Sequence, residues 1–175
     1  MDFLVDIADV FVGIFTAGAD FFVALLTGIV PLVIVLLTAG NLATTQAIVS
    51  RVEGEQDKPD IVNLRNCSDM AGVARYIGGI VQEEHARAQS AATAGGVDTS
   101  TSLLLGGQIQ GGGMANYQVY PAGNYITDSD QNPFLQIGES KYGKPILDRI
   151  LTRKTSLEVA ARCAIVSMDS TLRSN

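Results

Sequence analysis

Residues 32–46 read LVIVLLTAGNLATTQ and join the two kinds of element that decide the fold. The apolar, β-branched run LVIVLLTAG predicts a strand that ends at Gly40. A helix is expected from Leu42 to about Val52, directly after the glycine turn. Because the strand is apolar at nearly every position, both of its faces are expected to be covered by other layers.

Outward from this corner, the chain alternates groups of strands with groups of helices. Further strands are predicted in VFVGIF, FFVALL, LLLGGQI, the hairpin NYQVYPAGNYI and PFLQIGE. One long helix is expected to be capped by Ser68 and to run to about Ala92, and another carries Pro145 in its first turn. The last helix is expected to open with the capping box of Thr155 and Glu158. This order predicts one domain over residues 1–175, with a sheet-on-sheet core between helical layers.

Two of the helices show an apolar stripe at helical spacing. In the long helix the predicted buried stripe is Met70, Val73, Ile77, Ile80 and Val81. Its predicted outer side is Asp69, Arg75, Glu83, Glu84 and Arg87. In the last helix the predicted apolar face is Leu157, Ala161, Ala164, Ile165, Met168 and Leu172, with Cys163 on it as a buried small hydrophobe.

Composition and charge exclude several classes of function. The net charge of -6 and the pI near 4.6 argue against a nucleic-acid partner, because no basic stripe is present. Cys67 and Cys163 do not form a disulfide framework, which indicates a reduced, cytoplasmic setting. With one histidine and no paired Cys/His spacing, neither a metal site nor a cofactor is expected.

The front of the chain is unusually apolar. Residues 1–50 contain four aspartates and no Lys, Arg or His. The run from Phe21 to Leu37 approaches the roughly 20 residues that a membrane helix needs. Gly28 and Pro31 interrupt this run, and no basic residue flanks it on the N-terminal side. A buried strand pair is therefore favoured over membrane attachment, which remains the weaker alternative.

The corner at Gly40 offers a second, chemical interpretation. A glycine at a strand end admits the close approach of another backbone, and an N–H at a helix N-terminus stabilises negative charge. Such a donor is what an oxyanion hole requires. The simpler alternative is that Gly40 only turns the chain, since strand–glycine–helix corners are common.

Several longer motifs carry a resemblance to a known family. They are VIVLLTAGNLATTQAIV, GGQIQG, YPAGNYI, PFLQIGESKYGKPILDRIL and TSLEVAARCAIVSMDSTLRSN. Over about residues 33–175 the chain resembles the bacterial Anbu family of proteasome-type β-subunit homologues, whereas residues 1–31 do not match. The resemblance implies a four-layer αββα sandwich of the Ntn-hydrolase type. The family continues into further strands after the position of Asn175, so the sandwich is expected to be truncated at its C-terminal end.

The resemblance also implies site residues. Gly40 falls at the glycine whose backbone N–H forms the oxyanion hole, and Thr38 and Leu42 fall near the positions that line the specificity pocket. The residues that fall in loops backing the nucleophile are Gly138, Glu139, Ser140, Ser174 and Asn175.

The front of the chain departs from the family pattern. The family uses an N-terminal Thr or Ser, assisted by a lysine and a buried aspartate. Here Asp2 follows Met1, the first lysine is Lys58, and the stretch GIFTAGAD lacks the family's aspartate and arginine. Either the chain is an inactive homologue, or its first residues misrepresent the true N-terminus. Whether this chain is an enzyme is therefore left open.

The expected function follows from the family. The chain is expected to be a homo-oligomeric subunit, in an open ring or helical lock-washer, that hydrolyses peptides or unfolded proteins by a threonine- or serine-type mechanism. The alternative is a catalytically inactive structural or peptide-binding subunit of the same fold.

Overall fold

A computed structural model of the protein describes residues 23–27, 32–92, 96–109 and 111–174. The strands are β1 (Val23–Thr27), β2 (Leu32–Gly40), β3 (Thr101–Ile109), β4 (Ala115–Val119) and β5 (Tyr125–Thr127). The helices are α1 (Leu42–Glu55), α2 (Met70–Ala91), α3 (Lys144–Ile150) and α4 (Leu157–Leu172). The predicted strand VFVGIF lies outside the described residues.

The strands form one antiparallel sheet in the order β1-β2-β3-β4-β5. The register pairs Leu36 with Leu105 and Thr38 with Leu103. The hairpin predicted in NYQVYPAGNYI is confirmed, because β4 and β5 pair with Tyr117 opposite Thr127. The mixed α/β chain with an antiparallel sheet is thus as expected, while the four-layer arrangement stays a prediction.

Helices α1 and α2 cover one face of this sheet. That face carries Ile34, Leu36, Leu103 and Leu105, each at most 1% exposed, because alternate strand residues point to the same side. All five residues of the predicted α2 stripe are buried against this face and against α1. The hydrophobic core therefore lies between the sheet and these two helices.

The second face of the sheet is only partly covered. Val33, Val35, Leu37 and Leu104 point to it and are half-buried. The register places Leu37 directly opposite Leu104, so these apolar side chains adjoin one another. An apolar patch therefore lies on the side of the sheet away from α1 and α2.

Helices α3 and α4 pack against each other. A Cβ placed on Gly143 would lie 2.3 Å from Ser167 Oγ and 2.9 Å from Thr171 Oγ1, so the chain entering α3 lies directly on α4. Cys163 is buried on this side of α4, as predicted. The predicted apolar face is not buried in the described structure: Leu157, Ile165 and Leu172 are 60%, 53% and 46% exposed.

Both predicted helix caps are displaced by one residue. Asp69, rather than Ser68, caps α2, since Asp69 Oδ1 accepts a hydrogen bond from Gly72 N at 2.6 Å. Ser156, rather than Thr155, caps α4, accepting from Val159 N at 3.4 Å. The Thr155 hydroxyl instead accepts a hydrogen bond from Thr152 N at 2.9 Å. The residue types at these helix starts therefore predicted the position of each cap only to within one residue.

Two apolar segments of the chain differ in structure, PFLQIGE and the apolar front run. PFLQIGE is irregular rather than a strand. In the described part of the apolar front run, Val23–Thr27 and Leu32–Gly40 are paired strands. Across the described ranges, no helix combines the length and the apolar character needed to cross a membrane.

Candidate functional site

The corner between β2 and α1 is built around a position that only glycine can occupy. Gly40 has a φ of +126°, a conformation that L side chains rarely adopt. A Cβ added there would lie 2.4 Å from Ser100 O and 2.8 Å from Thr101 Cα. The residue is nevertheless exposed to solvent on its other side. The corner thus combines tight internal packing with an accessible backbone.

Asn41 fixes this corner from both of its sides. Its backbone N–H donates to Ser100 O at 2.9 Å, and its side-chain Nδ2 donates to Asp98 O at 3.1 Å. Its Oδ1 accepts from Thr44 N at 3.1 Å and so caps α1. Sequence reasoning did not single out Asn41, although a cap-forming residue between a glycine and a helical run is a usable signal.

Buried hydroxyl groups tie α1 to the start of β3. The Thr44 hydroxyl donates to Thr99 O at 3.0 Å. The Thr45 and Thr101 hydroxyls share a hydrogen bond of 3.1 Å, and the Thr101 hydroxyl also lies 3.2 Å from Ala39 O as a donor. Thr44, Thr45 and Thr101 are at most 3% exposed. Because each buried hydroxyl has a partner, the network stabilises one conformation of the corner.

Residues 98–100, the segment before β3, are held by hydrogen bonds of their own. Asp98 Oδ1 accepts from Ser100 N at 2.9 Å, and this backbone hydrogen bond lowers the pKa of the Asp98 carboxyl. His85 Nδ1 lies 3.4 Å from Thr99 O, which connects the segment to α2. The carbonyl groups of Asp98 and Ser100, which accept hydrogen bonds from Asn41, thus belong to a segment that has further contacts of its own.

The residues expected to line a pocket flank Gly40 but face different surroundings. Thr38 is 2% exposed and lies on the helix-covered face of the sheet, opposite Leu103. Leu42 is 51% exposed in the first turn of α1. Their roles in substrate binding stay predictions.

The residues expected to back the site lie beside the α3–α4 pair. Gly138 has a φ of +79°, and Glu139 Oε1 accepts from Lys141 N at 2.7 Å. Ser140 O accepts from Lys144 N at 3.2 Å, where α3 begins. The Ser174 hydroxyl donates to Ser170 O at 2.7 Å, just after α4. Asn175 lies outside the described residues.

The packing of Gly143 on Ser167 brings these two backing segments to the same helix pair. The Gly40 corner, by contrast, is organised by α1 and residues 98–101.

In the described ranges, no group of three or more His, Cys, Asp or Glu side chains is placed to hold a metal ion.

Comparison with solved structures defines the class of the fold as that of proteasome-like β-subunits. The structure is similar to Anbu (ancestral beta-subunit) from Yersinia bercovieri, with 42% identity and a TM-score of 0.77, over 90% of this chain and 64% of that one. It is also similar to the chain of the structure described as the helical assembly of the Anbu complex from Pseudomonas aeruginosa. That match has 44% identity and a TM-score of 0.77, over 90% of this chain and 64% of that one. Anbu from Hyphomicrobium sp. strain MC1 shares 36% identity, with a TM-score of 0.70 over 85% of this chain and 67% of that one.

This chain belongs to the Anbu family. It spans 64% of the length of the Yersinia and Pseudomonas chains. A search of curated proteins finds no match.

A different family model matches the front of the sequence. Residues 4–63 match the sorbitol-specific factor of PTS system enzyme II. This match covers about a third of the chain and includes β1, β2 and α1. The match to Anbu structures covers far more of the chain and agrees with its fold.

Proposed function

We propose that this chain is a subunit of a self-assembling, cytoplasmic, proteasome-like particle that hydrolyses peptide bonds by an N-terminal-nucleophile mechanism. The observation that carries the proposal is the Gly40 corner, where internal packing requires glycine and the backbone is open to solvent. The description of the Pseudomonas relative as a helical assembly supports self-association of this chain.

The proposed chemistry uses the backbone at Gly40 as an electrostatic donor. When a hydroxyl nucleophile attacks a peptide carbonyl, negative charge develops on the carbonyl oxygen. An N–H at Gly40 beside the N-terminus of α1 would stabilise this oxyanion, since the helix dipole favours negative charge there. Asn41 prevents the corner from shifting, which is the preorganisation that such catalysis requires.

The other implied residues complete the proposed site. Thr38 and Leu42 would shape the pocket for the substrate side chain. Gly138, Glu139, Ser140, Ser174 and Asn175 would back the nucleophile. The nucleophile, its lysine and its aspartate are not identified in residues 1–50.

The proposal includes the four-layer sandwich. One apolar surface supports an additional sheet, the second face of the sheet around Leu37 and Leu104. A second sheet packed on this surface would remove it from water.

A structural or peptide-binding subunit is the second candidate. It is favoured by one observation, the absence of Lys, Arg and His from residues 1–50. A nucleophile without an orienting cation or base performs this chemistry poorly at neutral pH.

One experiment separates the two candidates. The purified protein is subjected to N-terminal sequencing, intact mass measurement, native mass spectrometry and hydrolysis assays with fluorogenic peptides. A Thr or Ser start together with hydrolysis by a multi-subunit particle supports the peptidase. A start at Met1 or Asp2, a multi-subunit particle and no hydrolysis support the structural subunit. A monomer without hydrolysis would contradict both.

A further inference from the structure

A groove of about 670 Å³ lies at the far end of α1 from the Gly40 corner. It is bordered by the last turns of α1, the loop of residues 61–68 and one side of α2. Its main lining residues are Ile61, Val62, Cys67, Arg75, Tyr76 and Gly79. A helix of this length separates the groove from Gly40 by roughly 20 Å, since each residue adds about 1.5 Å. The groove is therefore a surface distinct from the proposed hydrolytic site.

The rim of the groove presents apolar side chains to solvent. Ile61 and Val62 are 40% and 63% exposed, beside the half-buried Tyr76 and Cys67. The loop that carries them is fixed by Asn63 and Asn66. Asn63 Nδ2 donates to Lys58 O at 2.6 Å, and Asn66 Nδ2 donates to Ile61 O at 2.7 Å. The exposed apolar pair is thus held in place rather than free to fold inward.

The charges that line the groove leave one cation unpaired. Arg51 pairs with three carboxylates, those of Glu55 at 2.9 Å, Glu83 at 2.6 Å and Glu84 at 3.2 Å. Glu55 also accepts from the Tyr76 hydroxyl at 3.0 Å. Arg75 is exposed and takes part in none of the ion pairs within the described residues. Arg75 is therefore the lining cation with which a carboxylate of an occupant would pair.

The floor of the groove is open at Gly79. A Cβ added there would meet nothing within 4 Å, so packing inside the described chain does not require glycine. The adjacent Gly78 differs, because its added Cβ would lie 2.2 Å from Gly123 O. Glycine inside an exposed helix is less stable than alanine. The open floor lets the backbone of an occupant approach α2 closely.

We propose that this groove binds a short peptide segment of a partner protein. Aliphatic side chains of the peptide would pack on Ile61 and Val62, and one carboxylate of the peptide would pair with Arg75. The volume lies within the roughly 300–1,000 Å³ typical of ligand sites. Charge complementarity to Arg75 selects an acidic residue in the segment. The inference does not depend on the proposed hydrolytic function.

The test uses the full chain and an array of immobilised ten-residue peptides that combine Leu, Ile or Val with one Glu or one Lys. The strongest binder is then labelled, and its dissociation constant is measured by fluorescence anisotropy. Gly79→Leu fills the groove, and Gly54→Leu is the matched control. Gly54 is also an exposed helical glycine whose added Cβ meets nothing within 4 Å, but it lies outside the groove.

We expect Glu-containing peptides to be selected over Lys-containing ones. Gly79→Leu should weaken binding at least tenfold while Gly54→Leu changes it less than twofold. Arg75→Glu should reverse the preference towards Lys-containing peptides. Circular dichroism of each variant confirms that the fold is retained.

Three results would overturn the proposal. One is an array without selective binding. Another is an equal effect of the two leucine substitutions. The third is a loss of oligomer mass in Gly79→Leu without any peptide binding by the unmodified chain, which would make the groove a contact between copies.

Discussion

Gly40 connects the local geometry of one residue to the proposed chemistry. Its φ is +126°, and a Cβ added there would lie 2.4 Å from Ser100 O because β2 pairs closely with β3. The same arrangement leaves the residue exposed at the N-terminus of α1. The packing that requires glycine and the proposed oxyanion binding therefore meet at one position, and a substitution there should affect stability first.

Gly40→Ala should destabilise the fold by about 1–3 kcal/mol, because the methyl group is strained at this φ and collides with Ser100 O. Urea unfolding followed by circular dichroism measures the change. Gly54→Ala serves as the control and should be neutral or slightly stabilising, since nothing lies near its added Cβ. Equal stability of the Gly40 variant and the unmodified chain would refute the described corner.

Asn41 has two separable functions, capping α1 and anchoring residue 98. Asn41→Ala removes both and should lower stability by about 1–2 kcal/mol. Asn41→Asp keeps the oxygen that accepts from Thr44 N but loses the Nδ2 donor to Asp98 O. Its stability should therefore lie between that of the unmodified chain and that of Asn41→Ala. Thermal unfolding of the three proteins provides the ranking. An Asp variant less stable than the Ala variant would contradict it, or would show that repulsion from Asp98 dominates.

Glu55 links stability to pH. Burial alone would raise its pKa, but hydrogen bonds from Arg51 and Tyr76 outweigh burial and hold the pKa below its ordinary value of 4.5. The ionised form is therefore favoured by folding, and its contribution is present above pH 4.5 and lost as pH falls below that value. Between pH 7 and pH 3 the unmodified chain should lose more stability than Glu55→Gln, measured by urea unfolding. Parallel pH curves would disprove this linkage.

At the scale of single residues, sequence reasoning found Gly40 but not the partners that make its geometry. Gly40 was recognisable because glycine, strand end and helix start are adjacent in the sequence. Ser100 and Asp98 lie about sixty positions away and reach the corner only through strand pairing. Glu84 was placed on the outer side of α2 but is 8% exposed, because Arg51 and Arg87 pair with it. Arg87 is a local partner on the same helix, but Arg51 lies 33 positions from Glu84 and leaves no local signal.

At the scale of elements, α2 contains two neighbouring glycines with opposite surroundings. Gly78→Ala should destabilise the chain, because its Cβ would meet Gly123 O at 2.2 Å in the β4–β5 turn. Gly79→Ala should stabilise it by up to about 1 kcal/mol, because the added methyl group is unhindered and alanine favours the helix. Each variant is the control for the other in urea unfolding. The same sign for both would contradict the described packing of α2 on the turn.

The elements themselves were predictable where the pattern is local. β2, α1, α2 and the β4–β5 hairpin follow from apolar runs, periodicity and turn residues. The α4 face was wrong because Leu157 and Ile165 look like core residues, whereas the side packed on Gly143 carries Cys163 and Ser167. PFLQIGE has the composition of a strand but no strand pairing in the described structure, and pairing is what makes a strand.

At the scale of the whole molecule, the sheet is covered by helices on one side and carries an apolar surface on the other. The chain spans 64% of the Yersinia and Pseudomonas relatives, whose Anbu fold it shares. The sheet carries a patch of half-buried apolar side chains, Val35, Leu37 and Leu104, and α4 carries Ile165, which is 53% exposed. Apolar side chains grouped on a surface in this way mark a contact site. These surfaces need either the second sheet of the proposed sandwich or contacts between subunits.

The exposed side of α4 provides a test of the proposed self-assembly. Ile165 and Val166 are each 53% exposed, and contacts between subunits would bury them. The double substitution Ile165→Gln, Val166→Gln should shift the particle towards the 18.5 kDa monomer in sedimentation velocity at equal concentration. Met114→Gln is the control, because Met114 is 61% exposed and lies on the β3–β4 turn rather than on α4. If the double variant and the control sediment alike while both remain folded, α4 does not mediate assembly. The apolar face of α4 would then be assigned to contacts within the subunit.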